Sequence, residues 1–259
     1  MSKDINKILE GWDHDPEELQ VRIVRGDDGT EKLQMRLDLG LLQMELEGRP
    51  DGRRPQGAES WLDHHEAQAR AAEPQEADYP LESDACAELL REGLQYYHRY
   101  LALFHLGRYD LVARDTTRNL RLFAFVRRHA TRMRDKLQFD QYRPYVTMMH
   151  ARAVGQQAIE RGDHKSAIER IDQAIAAIRD FLREYDQQGR EATCQELAFL
   201  KQWRVEVERE RTIGPVERLE EQLQHAVALE DYEEAARLRD QLRRLQEATS
   251  SPRLPSRNA

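Results

Sequence analysis

From Ser83 to Val207 the apolar residues of this chain recur at steps of three and four, and nowhere with the alternation of a strand. A stretch that long cannot be one helix in a packed domain, so it must be divided by turns. The first run carries Leu89, Leu90, Leu94, Tyr97, Leu101 and Phe104, and ends at Leu106-Gly107-Arg108-Tyr109-Asp110. A second runs through Val112, Leu120, Phe123 and Val126. A third begins near Gln141 with Tyr145, Met148, Met149 and Ala153, and breaks at Gly162-Asp163. A fourth carries Ala167, Ile168, Ile171, Ile175, Ile178 and Leu182, and a fifth, after Gly189, carries Leu197, Leu200, Trp203 and Val207. The expectation is a mainly α chain whose body, residues 83–213, is built from helical hairpins.

Residues 1–80 read differently. Ser2 can cap a short helix through Trp12. Then the period becomes two: Leu19, Val21 and Ile23, the turn Gly26-Asp27-Asp28-Gly29, and Leu33, Met35, Leu37 and Leu39. This predicts a β-hairpin with one apolar face. After Gly40 the parity shifts to Leu42, Met44 and Leu46, which predicts either a bulge or a turn into a third short strand. Gly48-Arg49-Pro50-Asp51-Gly52 follows, either a plain surface turn or an arginine-bearing loop that meets an anion or an acidic partner. Ser60 with Asp63 caps a helix through about Ala72. His64 and His65 on that helix point about 100° apart, a poor pair for a metal. Residues 71–80 read as a linker.

Composition narrows the class. Charged residues make up 34 % of the 259, apolar ones 39 %, and the formal net charge is −8. That fits long solvent-facing helices and argues against a protein dedicated to coating DNA. No apolar run approaches a membrane span, and the first residues lack the basic-then-apolar order of a signal peptide. The cytoplasm is the expected location, with Cys86 and Cys194 reduced. There is no nucleophile elbow, HExxH, P-loop or CxxC. No catalytic residue, metal ligand or cofactor is assigned, and an enzyme is not expected.

Two clusters remain. Tyr96, Tyr97, His98, Arg99 and Tyr100, with Tyr142, Arg143 and Tyr145, either fill a helical core or edge a groove that binds a peptide. Between Arg114 and Lys136, eight basic residues face two acidic ones. Arg121, Arg127, Arg128 and Arg132 are the candidates for contact with nucleic acid or an acidic partner; ion pairing with the chain's own carboxylates is the alternative.

Near the C-terminus, Pro215 suits a first helical turn and Leu219, Leu223 and Val227 mark one face. Asp231 and Glu234 form an acidic capping box for a second helix with Tyr232, Ala235, Ala236, Leu238 and Leu242. The paired alanines would let the helices approach closely. A hairpin of about thirty residues buries too little to stand alone, so it must dock, self-associate or find a partner. From Thr249 the Ser-, Pro- and Arg-rich tail is expected to be disordered.

Leu229 to Leu242, LEDYEEAARLRDQL, resembles the UVR motif, the UvrB/UvrC interaction hairpin. Tyr232 takes the aromatic place, and Glu234-Ala235-Ala236 and Leu238-Arg239-Asp240 match as they stand. The resemblance covers residues 215–247 and implies protein–protein contact through Leu219, Leu223, Val227, Tyr232, Ala235, Ala236, Leu238, Arg239, Asp240 and Leu242. In the excision-repair proteins the motif joins UvrB to UvrC; elsewhere it sits in adaptors of the Clp protease system and of protein-arginine kinase. Their helicase and nuclease domains and zinc-binding cysteines have no counterpart here. Through Leu33 to Met44 and Gly48 to Gly52 the whole chain also looks like a bacterial group of uncharacterised UVR-motif proteins, which supplies no activity. Gly155, Ala158, Gly162, Ala167 and Ala174 resemble the small-residue positions of a tetratricopeptide-type repeat. The turns at Gly107 and Gly162 are farther apart than the ~34 residues of a strict array, so packed hairpins are expected rather than a solenoid.

Three functions follow. The first is a non-enzymatic adaptor that uses the hairpin and the helical body, or self-associates through the hairpin. The second is a nucleic-acid-associated accessory of DNA excision repair. The third is an unrecognised enzyme using the tyrosine–arginine region.

Overall fold

The computed structural model describes residues 4–72, 79–211, 215–229 and 231–250. Ser2, most of the expected linker and the tail beyond Ser250 lie outside them. The chain divides into two compact units, residues 1–209 and 210–259.

The first unit opens with α1 (Asn6–Leu9), whose backbone Asn6 N–H is accepted by Asp4 Oδ1 at 3.0 Å. The helix stops short of Trp12. Gly11 takes φ +71°, and the Trp12 carbonyl instead accepts Arg36 Nε at 2.9 Å. Strands β1 (Val21–Arg25), β2 (Glu31–Leu37) and β3 (Gly40–Glu45) form an antiparallel sheet in sequence order. Ile23 pairs with Leu33, which pairs with Met44. The parity shift is therefore a turn and not a bulge: Leu37 pairs with Gly40 across the two-residue turn Asp38-Leu39. Such a turn places odd positions of β2 beside even positions of β3, so Met35 meets Leu42. Leu39 sits on the turn and is 92 % exposed, so it is no part of the apolar face.

The rest of the first unit is helical. Helix α2 (Trp61–Ala72) starts where expected, with Asp63 N–H donating to Ser60 Oγ at 3.1 Å. Then come α3 (Ser83–His105), α4 (Tyr109–His129), α5 (Met133–Asp140), α6 (Arg143–Glu160), α7 (His164–Glu184) and α8 (Gln195–Glu210). The short α5 was hidden because its Met133 and Leu137 are exposed and only Phe139 carries a buried apolar side chain. One core joins Leu33, Met35 and Met44 of the sheet to Tyr100, Leu103, Val112, Met149, Ile171, Leu197 and Leu200. A second gathers Leu62, Leu81, Leu89, Leu122, Phe123, Val126 and Phe139.

Helices α6 and α7 form a hairpin around Gly162, at φ +76°, and Asp163 caps α7 by accepting Ser166 N–H at 3.0 Å. Ala158, Ala167 and Ala174 are buried. Gly155 serves a different contact: a Cβ there would come within 2.5 Å of the Trp203 ring on α8. Its small size admits α8 rather than α7.

The second unit is α9 (Pro215–Ala228) and α10 (Tyr232–Ser250), closed by Asp231 N–H donating to the Ala226 carbonyl at 2.9 Å.

Candidate functional site

The helix pair α9–α10 is set by its turn. Asp231 stands before α10 and its Oδ1 accepts Glu234 N–H at 3.1 Å, which satisfies one of the free donors of a helix start. Ala226, Ala235 and Leu238 are buried between the helices, with Leu219 and Leu223 packed against them. Ala226 and Ala235 supply the small side chains at the contact. Ala236 does not share that role. About 100° round the helix from Ala235, it is exposed. Val227 is likewise off the buried stripe, at 52 % exposure, because the step from Leu223 lands on Ala226.

The residues expected to bind a partner thus fall into two sets. Leu219, Leu223, Ala235 and Leu238 build the inside of the hairpin, and Leu242 is half-buried. Val227, Tyr232, Ala236, Arg239 and Asp240 are exposed. Leu229 and Tyr232, 67 % and 69 % exposed, put large apolar surface at the turn, where no packing within the hairpin needs it.

Residues 215–248 match the family model described as the UvrB/uvrC motif, UVR. The hairpin is a UVR motif. No curated protein matches the chain, and no solved structure does. The UVR motif occupies the second unit alone, and residues 1–209 have to be read from their own chemistry.

There the charged residues turn inward. Arg99, 1 % exposed, grips Asp115 with Nε and a terminal nitrogen at 2.7 and 2.8 Å. Its other terminal nitrogen donates to the carbonyls of Glu45 and Gly48 at 2.9 and 2.8 Å. Glu92 is fully buried and pairs with Arg118. It also accepts the backbone N–H groups of Trp61 and Leu62 at 2.8 and 3.2 Å. Arg99 and Arg118 stack on the Tyr96 ring at 4.8 and 4.2 Å. Arg49 lies 3.3 Å from both Asp51 and Glu92. The acidic group that the Gly48–Gly52 loop meets is thus the chain's own Glu92. This network pins the loop, the end of β3 and the start of α2 onto α3 and α4. Nothing in the composition marked it. Glu92 and Arg99 could have been flagged because they share the helical face of Leu89, Tyr96 and Leu103.

The basic stretch is largely answered from within. Arg114 pairs with Glu47 at 2.7 Å and with Asp115 at 3.0 Å. Arg121 pairs with Asp63 at 2.6 Å and Glu66 at 3.0 Å. Arg127 meets Glu184 at 3.0 Å, and Arg143 reaches the same carboxylate at 2.6 Å. Those guanidinium groups, Arg143 first, hold Glu184 below the usual carboxylate range. Arg128 has an intramolecular interaction as well. Arg132 is exposed just before α5.

His64 and His65 lie with ring centres 5.4 Å apart. His65 Nδ1 is 2.7 Å from the Tyr79 hydroxyl, and burial lowers its pKa. Among the described residues there is no grouping of His, Cys, Asp and Glu able to hold a metal ion. Burial pushes the Cys86 thiol up to about 11, which makes it a poor nucleophile. No helix among the described residues is long and apolar enough to cross a membrane.

Tyr97, Tyr142 and Tyr145 line a groove of about 630 Å³ floored by Tyr100, Leu122, Phe123 and Phe139. Tyr97 and Tyr145 face it with ring centres 6.2 Å apart, and Tyr142, half exposed, stands at its edge. Burial pushes the Tyr145 hydroxyl up to about 12, so it remains a neutral donor.

Proposed function

We propose that this chain is a non-enzymatic adaptor of the cytoplasm. Its UVR hairpin takes one protein partner and residues 1–209 take another. The observation that carries this reading is the exposed apolar surface at the hairpin turn, Val227, Leu229 and Tyr232. The interior of the hairpin is already filled by Leu219, Leu223, Ala226, Ala235 and Leu238. The exposed set is therefore free to serve a second surface, with Arg239 and Asp240 adding charge beside it.

The test is affinity purification of the whole chain beside Tyr232→Ala and a chain lacking residues 215–247, with partners quantified by mass spectrometry. Partners lost in both variants, and then bound directly by the purified whole chain, support the reading. A partner set unchanged by either variant overturns it. Truncating a central aromatic anchor costs about 2 kcal/mol or more of binding, a loss of about thirtyfold.

A further inference from the structure

The tyrosine-lined groove holds an unanswered charge. Glu196, in the first turn of α8, lines it and is half-buried. Its carboxylate accepts the Cys194 thiol at 3.3 Å and has no cationic partner among the described residues. Every other carboxylate in the ion networks above is met by an arginine. The hydroxyls of Tyr97, Tyr142 and Tyr145 likewise lack a hydrogen-bond partner among the described residues. Aromatic faces beside an unpaired carboxylate are attractive to an alkylammonium or guanidinium group and to no anion.

The shape adds a second constraint. Glu196 and Gln141 also line an adjoining cavity of about 560 Å³ whose walls include Leu137, Pro144 and Phe181. The carboxylate stands where the two meet. Two adjoining cavities with apolar walls suit a chain segment with apolar side chains on both sides of a cation better than they suit a small free amine. The formal charge of −8 would favour a basic partner at long range.

We propose that this groove binds an extended peptide through one lysine or arginine side chain, its cation against Glu196 and the rings of Tyr97, Tyr142 and Tyr145, its flanking apolar residues against Leu90 and Leu94. The proposal rests on the adaptor reading, since it names the chemistry of the partner held by residues 1–209. Arg91 also lines the groove, from α3, and Arg190 lines the adjoining cavity; both charges oppose the cation.

The test uses the full chain and three labelled peptides. One has a lysine between paired leucines; the others carry norleucine or glutamate in its place. Fluorescence anisotropy should show the lysine peptide binding about tenfold tighter than the norleucine one, with the glutamate peptide weakest. Glu196→Gln should abolish the preference of lysine over norleucine, and Tyr142→Ala should weaken the lysine peptide severalfold. Arg91→Ala should leave the lysine peptide bound as well as before or better. Equal binding of all three peptides, no binding of any, or a preference that survives Glu196→Gln overturns the proposal. Thermal melts by circular dichroism check the variants; should Glu196→Gln not fold, the peptide comparison on the unaltered chain and Arg91→Ala still decide. Tyr232→Ala separates this proposal from the adaptor reading. A lysine preference beside a partner set that Tyr232→Ala leaves unchanged sinks only that reading, and hairpin partners lost on Tyr232→Ala beside no lysine preference sink only this one.

Discussion

Residues 1–209 bury some of their ion pairs, whereas the described ion pairs of the UVR hairpin are all on its surface. In the first unit arginine and carboxylate pairs are driven inside: Arg99 with Asp115, and Arg118 with Glu92. In the hairpin the described ion pairs, Arg237 with Glu234 at 3.0 Å and Arg239 with Asp240 at 3.2 Å, lie on the surface. The large unit has two apolar clusters to surround its ions; among the described residues the hairpin has three buried side chains. A buried ion pair costs desolvation, and only a sizeable core can carry that cost while using the pair to fix geometry. The hairpin cannot, so its charges are left for solvent or for a partner.

The sharpest way to break this comparison is to empty one side of a buried pair. Glu92→Ala strands Arg118 inside the protein and also frees Arg49 and the first N–H groups of α2. It should cost about 3–5 kcal/mol, seen as a fall in the urea midpoint of the main transition. A loss under about 1 kcal/mol would mean that the network is ornamental.

Leu238→Ala probes the other side. Leu238 is the largest of the buried residues described in the hairpin, and its truncation should cost about 2–3 kcal/mol there. With so small a core the hairpin should lose helix while the main transition keeps its midpoint. Joint loss of both would show that the two units unfold together.

Gly155→Ala tests the close approach of α8. A methyl group at 2.5 Å from the Trp203 ring forces a shift worth about 1–3 kcal/mol in the main transition. An unchanged midpoint would mean that α8 can move aside at little cost.

Neutralising Arg127, Arg128 and Arg132 together should change stability by less than about 1 kcal/mol, because exposed pairs contribute little. It also tests the nucleic-acid alternative. Salt-dependent binding to nonspecific DNA that disappears in this variant would revive that reading. The expected result is no such binding by the unaltered chain.

The gentlest perturbation is a fall in pH from neutral to about 5.5. Burial lowers the pKa of His65, His98 and His150 in the folded chain. A lowered folded pKa means that the unfolded chain binds protons first. Stability is therefore full above the ordinary value of 6.5 and is lost as pH falls through it toward the folded values. The urea midpoint of the first unit should drop across that window, and His65→Gln should flatten the drop. A midpoint that rises on acidification would reverse the sign.

Much of the fold was legible because periodicity is local. The three-four steps marked α3, α4, α6, α7 and α8, and the Ser60 and Asp231 caps marked two helix starts. The strand alternation is legible too, but it runs on through Leu39, which stands on the turn, because a two-residue turn is invisible to a period-two pattern. Helix α5 was missed since its stripe is mostly exposed. In the hairpin, the motif residues were readable while their division was not. Ala235 inside and Ala236 outside, Ala226 inside and Val227 outside, differ by one position each. Only the phase of one helix against its neighbour separates them.

The sequence by itself determined the starts of α2 and α10, the first two strands, the two turns at Gly107 and Gly162 and the UVR motif, because each depends on residues a few positions apart. The tertiary structure alone decided which charges meet. Arg99 reaches Glu45 and Gly48, Arg118 reaches Glu92, and Glu196 is left facing Tyr97 and Tyr145 without a counter-ion among the described residues. Electrostatic pairing acts across space between residues far apart in the chain. Arg114, Arg118, Arg121 and Arg127, which read as part of one basic surface, are thus each met by a carboxylate brought to them by folding.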